Sequence, residues 1–473
     1  MRGLRADLIL TLLSHLITKP LWLITDNLIQ DRLGHESYGL IGALHSFATW
    51  ANVIADSSLF YYITRRVAQP AQSIRTIFAQ TFLPKIVLSF LALGLFLGIG
   101  HLLGYTQRSF WWLCGLLGYQ ILLALIQYFR SFFQGAQLFR IDAILGNAEK
   151  AVIIVLLLAF WPYISGDFYI GILVMGSLIA LLLVAIWAWR RFGPWPLYAR
   201  GRVLLPLFYD LTPYALLLLV SGLNERLNQV LIERLAGPYD NGLYLGAYRW
   251  FGASMMYLWV VLPIFYARFA ALGYRPTPLL WRTFLMGHLS AAIPLMAVTL
   301  VMFVEPRLFL ILFRHSTEAE LNTMAANLQI LALAGTLNAL FNIYSTHLTA
   351  NGQEKASLVI MLLATVVNIV GCWLWIPRYG AIGGSLGLLV SYATFSLGHY
   401  LFFQRWVGLR KPVGVMPWFL MGIWVGVAGF IRWLQAFLPY TAKGVWSGAA
   451  VLLFVGGLYI AGTLHLWRRV SRI

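Results

Sequence analysis

The chain has 473 residues, of which 60% are hydrophobic and 11% charged, and its mean hydropathy is +0.77. Soluble domains carry roughly 25% charged residues, so the composition excludes a soluble enzyme and defines an integral membrane protein. The formal net charge of +18 must therefore be read on a membrane topology before a nucleic acid is invoked.

Apolar runs of about 20 residues or more recur along the whole chain, each long enough to cross a hydrocarbon core of about 30 Å as a helix. They predict about fourteen spans, at roughly 7–30, 38–62, 77–104, 109–134, 145–163, 167–189, 205–233, 241–265, 280–304, 321–350, 356–377, 380–404, 415–437 and 444–466. The first carries Lys19, Pro20 and Asp26 where a cleavable leader would be unbroken and apolar, so it is expected to stay in the protein. Between the first two spans stands Leu28-Ile29-Gln30-Asp31-Arg32-Leu33-Gly34, then Tyr38-Gly39-Leu40. Nearly the same phrase separates spans seven and eight: Leu231-Ile232-Glu233-Arg234-Leu235-Ala236-Gly237, then Asn241-Gly242-Leu243. The shift is 203, becoming 204 where Gly42-Ala43 meets Gly246-Ala247. Six spans per half preserve orientation, so the expected duplication is a parallel one with its pseudo-twofold axis along the membrane normal.

The longest connection runs from Arg190 to Arg202 through Gly193-Pro194-Trp195-Pro196, and a second break lies at Gly408 to Pro412. These mark an N-terminal six-helix lobe at 1–200, a C-terminal six-helix lobe at 201–405 and two additional helices at 406–473. With an even number of spans, 23 basic residues, Lys85 and Lys150 among them, fall on the side of the termini and 8 on the other. That asymmetry places both termini in the cytoplasm and accounts for most of the positive charge without a nucleic-acid partner. Tryptophans and tyrosines near predicted ends, as at Trp111-Trp112 and Trp161-Pro162-Tyr163, read as interfacial anchors. Cys114 and Cys372 lie inside spans and read as small packed hydrophobes.

Span ten ends in Thr349-Ala350-Asn351-Gly352-Gln353-Glu354-Lys355. Asn368 follows in span eleven, then Ile376-Pro377-Arg378-Tyr379-Gly380-Ala381-Ile382-Gly383. Together with Asn224-Glu225-Arg226, with Gly242-Leu243-Tyr244 and Ala247-Tyr248-Arg249, and with Leu33-Gly34, Tyr38-Gly39 and Arg65-Arg66 in the first half, this order resembles the polysaccharide flippases of bacterial surface-glycan pathways. That family belongs to the multidrug/oligosaccharidyl-lipid/polysaccharide (MOP) exporter superfamily. The resemblance implies a MATE-like helical fold and an undecaprenyl-diphosphate-linked oligosaccharide, such as an O-antigen or exopolysaccharide unit, carried from the cytoplasmic to the outer leaflet of the inner membrane. Membrane lipids, and a polymerase or glycosyltransferases, are the partners it implies.

Charge inside a span costs about 2.5–3.5 kcal/mol on insertion scales, which singles out Lys19, Asp26, Asp56, Asp210, Glu225, Arg226 and Arg249. Arg226 and Arg249 each lie about eight residues from the outer end of their span, which puts both roughly 12 Å below the outer surface. Glu225 either pairs with Arg249 or Asn224 and leaves Arg226 to a wet cavity, or the roles are reversed. Shifting Arg249 back by 204 lands on His45. Lys19, His45, Arg226 and Arg249 thus compose a candidate site for a diphosphate, since arginine forks match phosphate oxygens and stay protonated when desolvated. Glu225, Asp56 and Asp210 are candidates for ion pairs or for coupling to H+ or Na+, and Arg65-Arg66 for docking the incoming head group. A cofactor is not expected: neither a G-x-x-x-x-G-K-[ST] loop nor a histidine or cysteine cluster with metal-ligand spacing occurs in the sequence. The alternatives are a lipid II flippase, a MATE-type drug or cation antiporter, which would want an acidic site, and a non-transporting membrane subunit of a polysaccharide synthase.

Overall fold

The computed structural model describes residues 18, 20–56, 59–69, 73–193, 222–224, 226–407 and 414–437. Lys19, Asp210, Glu225, Trp195, most of the connection after Arg190, the break at Gly408 to Pro412 and the span at 444–466 lie outside the described residues. The described residues are helical throughout and contain no strand. Nine of their helices are long and apolar enough to cross a membrane. The chain divides into two compact units, Met1–Glu233 and Arg234–Ile473.

The first unit contains α1 (20–33), α2 (His35–Asp56), α3 (Leu59–Val67), α4 (Ile74–Leu102), α5 (Gln107–Gly135), α6 (Phe139–Ala159) and α7 (Gly166–Phe192), and it ends within α8 (226–235). The second predicted span is divided between α2 and the short α3, which ends in Arg65 and Arg66. Leu59, Ile63, Ile77, Phe78, Tyr128 and Phe132 form one core among α3, α4 and α5. Ile126, Phe133, Leu145, Ala180, Val184 and Ala188 form another among α5, α6 and α7.

The second unit contains α9 (Pro238–Leu272), α10 (Pro278–Gly287), α11 (Ile293–Val304), α12 (Glu318–Ala350), α13 (Glu354–Tyr379), α14 (Ala381–Val407) and α15 (Met416–Phe437). A π-turn at His288–Ala292 joins α10 to α11 within one span. It immediately precedes Pro294, whose missing N–H and bulky ring disturb the regular ladder there. Val359, Leu363, Val366, Val370 and Trp373 recur every three or four residues along α13 and are all at least half exposed. An apolar stripe of that kind is stable only against hydrocarbon.

The duplicated phrase has one structural meaning in both units. Gly34 turns α1 into α2 with φ +79°, and Gly237 turns α8 into α9 with φ +102°. A Cβ at either would meet nothing within 4 Å, so glycine is required there by the backbone angle and not by crowding. The flanking burial is repeated too. Ile29 and Ile232, and Ala43 and Ala247, are all fully buried.

Candidate functional site

A polar cluster occupies the interior of the first unit. Its frame is a row on α2 made of Tyr38, His45, Thr49 and Asn52, which recur at helical spacing and so share a face. From α5, the Gln120 side chain meets three of the four: its Nε2 lies 3.1 Å from His45 Nε2 and donates to Thr49 Oγ1 at 3.2 Å, while its Oε1 accepts from Asn52 Nδ2 at 3.1 Å. Tyr38 and Tyr169 donate their hydroxyls to Asp26 Oδ1 at 2.6 and 3.2 Å, which ties α1 to α2 and α7. Ser46 donates to Gln229 Oε1, which ties α2 to α8.

His45 stacks obliquely on Tyr119, with ring centroids 5.9 Å apart. Tyr119 donates its hydroxyl to Glu149 Oε1 at 2.9 Å, and Lys150 donates to the same hydroxyl at 3.1 Å and to Glu149 Oε1 at 3.2 Å. The Lys150 ammonium also sits 4.0 Å from the centroid of the Trp22 ring. Arg226, Lys150 and Asp26 all lie within electrostatic range of His45. The unit thus gathers an imidazole, an ammonium, a guanidinium and the carboxylates of Asp26 and Glu149 around uncharged donors and acceptors.

Of the residues singled out in the sequence, Asp26 and Arg226 lie within electrostatic range of His45. Arg249 lies on α9 of the second unit, where it is half-buried. Asp56 pairs with Lys85, whose Nζ is 3.4 Å from Asp56 Oδ1 and donates to the Ala55 carbonyl at 3.1 Å. Arg65 is exposed, and Arg66 lies over the ring of Tyr62 at 5.3 Å.

Two residues counted by sequence on the cytoplasmic side are located differently. Lys150 is in the middle of α6, because that helix begins at Phe139 rather than near 145. Lys85 is fully buried well inside α4. Without them the asymmetry of basic residues is 21 to 8, which keeps its sign. Sequence reading therefore missed Lys150, Glu149 and Tyr119 as members of the site. The polar row on α2 was the available signal, since four such residues on one face of an apolar helix need polar partners.

The glycine-rich motif in the second unit proves to be packing. Gly380 turns α13 into α14 with φ +54°, and Asp240 on α9 accepts the freed N–H of Ala381 at 2.9 Å. Gly383 lies against the backbone of Trp375, and Ser391 donates to the Ala364 carbonyl at 3.0 Å. Small residues bring these two helices together as they do in membrane bundles generally. No group of three or more histidine, cysteine or acidic side chains able to hold a metal stands together among the described residues.

Long apolar helices, one of them with an exposed apolar stripe, and a polar cluster within the first unit define a multi-pass membrane protein. The chain belongs to the polysaccharide biosynthesis protein family, whose model matches residues 4–269. Its fold is that of MOP-superfamily transporters. The lipid II flippase MurJ in an inward closed conformation superposes with a TM-score of 0.72 at 14% identity, over 98% of this chain and 100% of that one. An inward-facing multidrug resistance MATE transporter gives 0.65 at 15% identity, over 85% and 98%. A MOP transporter from Pyrococcus furiosus, described by a binding pocket of reversed polarity that suggests a different function, gives 0.56 at 14% identity, over 86% and 95%. None of the curated proteins matches the chain.

Proposed function

We propose that the chain is a flippase that carries an undecaprenyl-diphosphate-linked oligosaccharide from the cytoplasmic to the outer leaflet of a bacterial inner membrane by alternating access. The observation that carries this reading is that two cations, Arg226 and Lys150, lie within electrostatic range of His45 inside the first unit, in the part of the chain that the family model matches. Cations inside a bilayer are costly and need a function or a partner to hold them there. An anionic diphosphate, stripped of part of its water, supplies one, and the neutral donors Gln120, Thr49 and Asn52 suit the adjoining sugar. The MOP transporter with reversed pocket polarity is a precedent for a change of site charge within the fold.

The proposal extends to Lys19 and Arg249 on the strength of the repeat, and to Arg65 and Arg66 as a first contact for the head group. Both termini are cytoplasmic in this reading. The chain acts as a transporter without catalysis and without a resident cofactor, and H+ or Na+ is the candidate coupling ion. Glycosyltransferases would supply the lipid-linked unit and a polymerase would consume it.

Surface-glycan export in cells carrying Lys19→Gln, Arg226→Gln or Arg249→Gln, at matched protein abundance, tests the reading. Export is expected to fall in each, most for Arg226→Gln. Undiminished export in all three would favour a non-transporting subunit of a polysaccharide synthase.

A further inference from the structure

Among its described residues the first unit contains two internal lysine–carboxylate pairs, and they differ in one decisive respect. Lys85, paired with Asp56, is 0% exposed, whereas the Lys150 side chain is 28% exposed in the middle of α6 although its partner Glu149 is only 7% exposed. That residual surface does not face lipid. Lys150 lies on the same side of α6 as the buried Ala143, Ile154 and Leu157, about a quarter turn or more from the exposed row of Ile144, Val155 and Leu158. Its ammonium points toward Trp22 on α1 and Tyr119 on α5. The accessible side of Lys150 therefore opens inward, beside His45.

Resting on the flippase reading above, we infer that Glu149 is a built-in counter-ion whose place on Lys150 the substrate's phosphate takes. Lys150 is then a substrate-binding cation, and Glu149 sets the affinity of the site. The geometry suits an exchange. Glu149 Oε1 accepts from the Tyr119 hydroxyl at 2.9 Å as well as from Lys150, so the carboxylate keeps a hydrogen bond when the lysine turns away. The Trp22 face, 4.0 Å from the ammonium, holds the lysine by a cation–π contact in either state. Lys150 is thus not left bare in the empty site, and a phosphate reaches it only by outcompeting the carboxylate. This arrangement favours a doubly charged diphosphate over a singly charged phosphodiester headgroup of the surrounding bilayer.

Calorimetric titration of the full-length protein in lipid nanodiscs with inorganic pyrophosphate tests the exchange. Glu149→Gln is expected to tighten binding about fivefold, as a competing charge is removed from the partly exposed Lys150. Lys150→Met is expected to weaken binding about tenfold, and Lys150→Arg to retain it. Tyr119→Phe supplies a second probe if Glu149→Gln does not fold: without the hydroxyl, Glu149 rests wholly on Lys150 and pyrophosphate binds more weakly. If Arg226→Gln weakens binding while Glu149→Gln leaves it unchanged or weaker, the counter-ion role is wrong and the flippase reading stands. If the wild type does not bind pyrophosphate, or Arg226→Gln binds it equally well, both fall.

Discussion

At the scale of the residue, the paired charges inside this membrane protein differ in their exposure. Lys85 and Asp56 are enclosed together, and Lys85 has a backbone carbonyl as a second acceptor. Such a pair contributes little net stability when intact, because desolvation offsets the attraction, but breaking it leaves a bare buried charge costing about 3–5 kcal/mol. Lys85→Met or Asp56→Asn alone should therefore lower the melting temperature strongly, and the double variant should recover most of the loss with export intact. Export lost in a well-folded double variant would instead assign Asp56 to ion coupling. Arg130 and Asp142 behave as a third case, a bidentate pair at 2.7 and 3.1 Å that joins α5 to α6.

At the scale of the element, that last pair explains why the helices were largely legible and the site was not. The apolar runs predict the spans, and α4, α5, α7 and α12 to α15 follow them to within a few residues, while α9 runs seven residues past its expected end. The stretch Phe139-Arg140-Ile141-Asp142 looked like loop because it carries charge, yet Arg130 neutralises Asp142 and α6 continues through it. Starting the helix six residues late moved Lys150 toward the surface and hid it from the site. Its neighbour Tyr119 comes from α5, and which helices pair is not disclosed by a single sequence. The repeated phrase was legible because it encodes a local event, the left-handed glycine between two helices. Gly34→Ala and Gly237→Ala should each destabilise the protein by about 1–2 kcal/mol, the cost of forcing an L-residue into that region. Gly94→Ala serves as control, since Gly94 lies inside α4 with open space around it, and should be neutral or slightly stabilising. Equal melting temperatures for all three would mean that the turns do not demand glycine.

At the scale of the whole molecule, family membership and fold come from the matched model and from the solved MOP transporters, while the substrate rests on the chemistry of the first unit. Sequence identities of 13–15% to those structures leave room for the site to change its charge while the helices keep their packing. On the proposed function, specificity for an anionic lipid is a property of a few side chains on an unchanged scaffold. The measurement that tests this most directly is translocation of a fluorescent polyprenyl-diphosphate-linked oligosaccharide in proteoliposomes, compared with the same glycan on a neutral lipid, for the wild type and Arg226→Gln. The account predicts that the wild type moves the diphosphate-linked glycan and not the neutral one, and that Arg226→Gln slows it at least about tenfold, the effect of losing a charge-assisted phosphate contact. Equal transport of both lipids, or an Arg226→Gln protein as fast as the wild type, would contradict it.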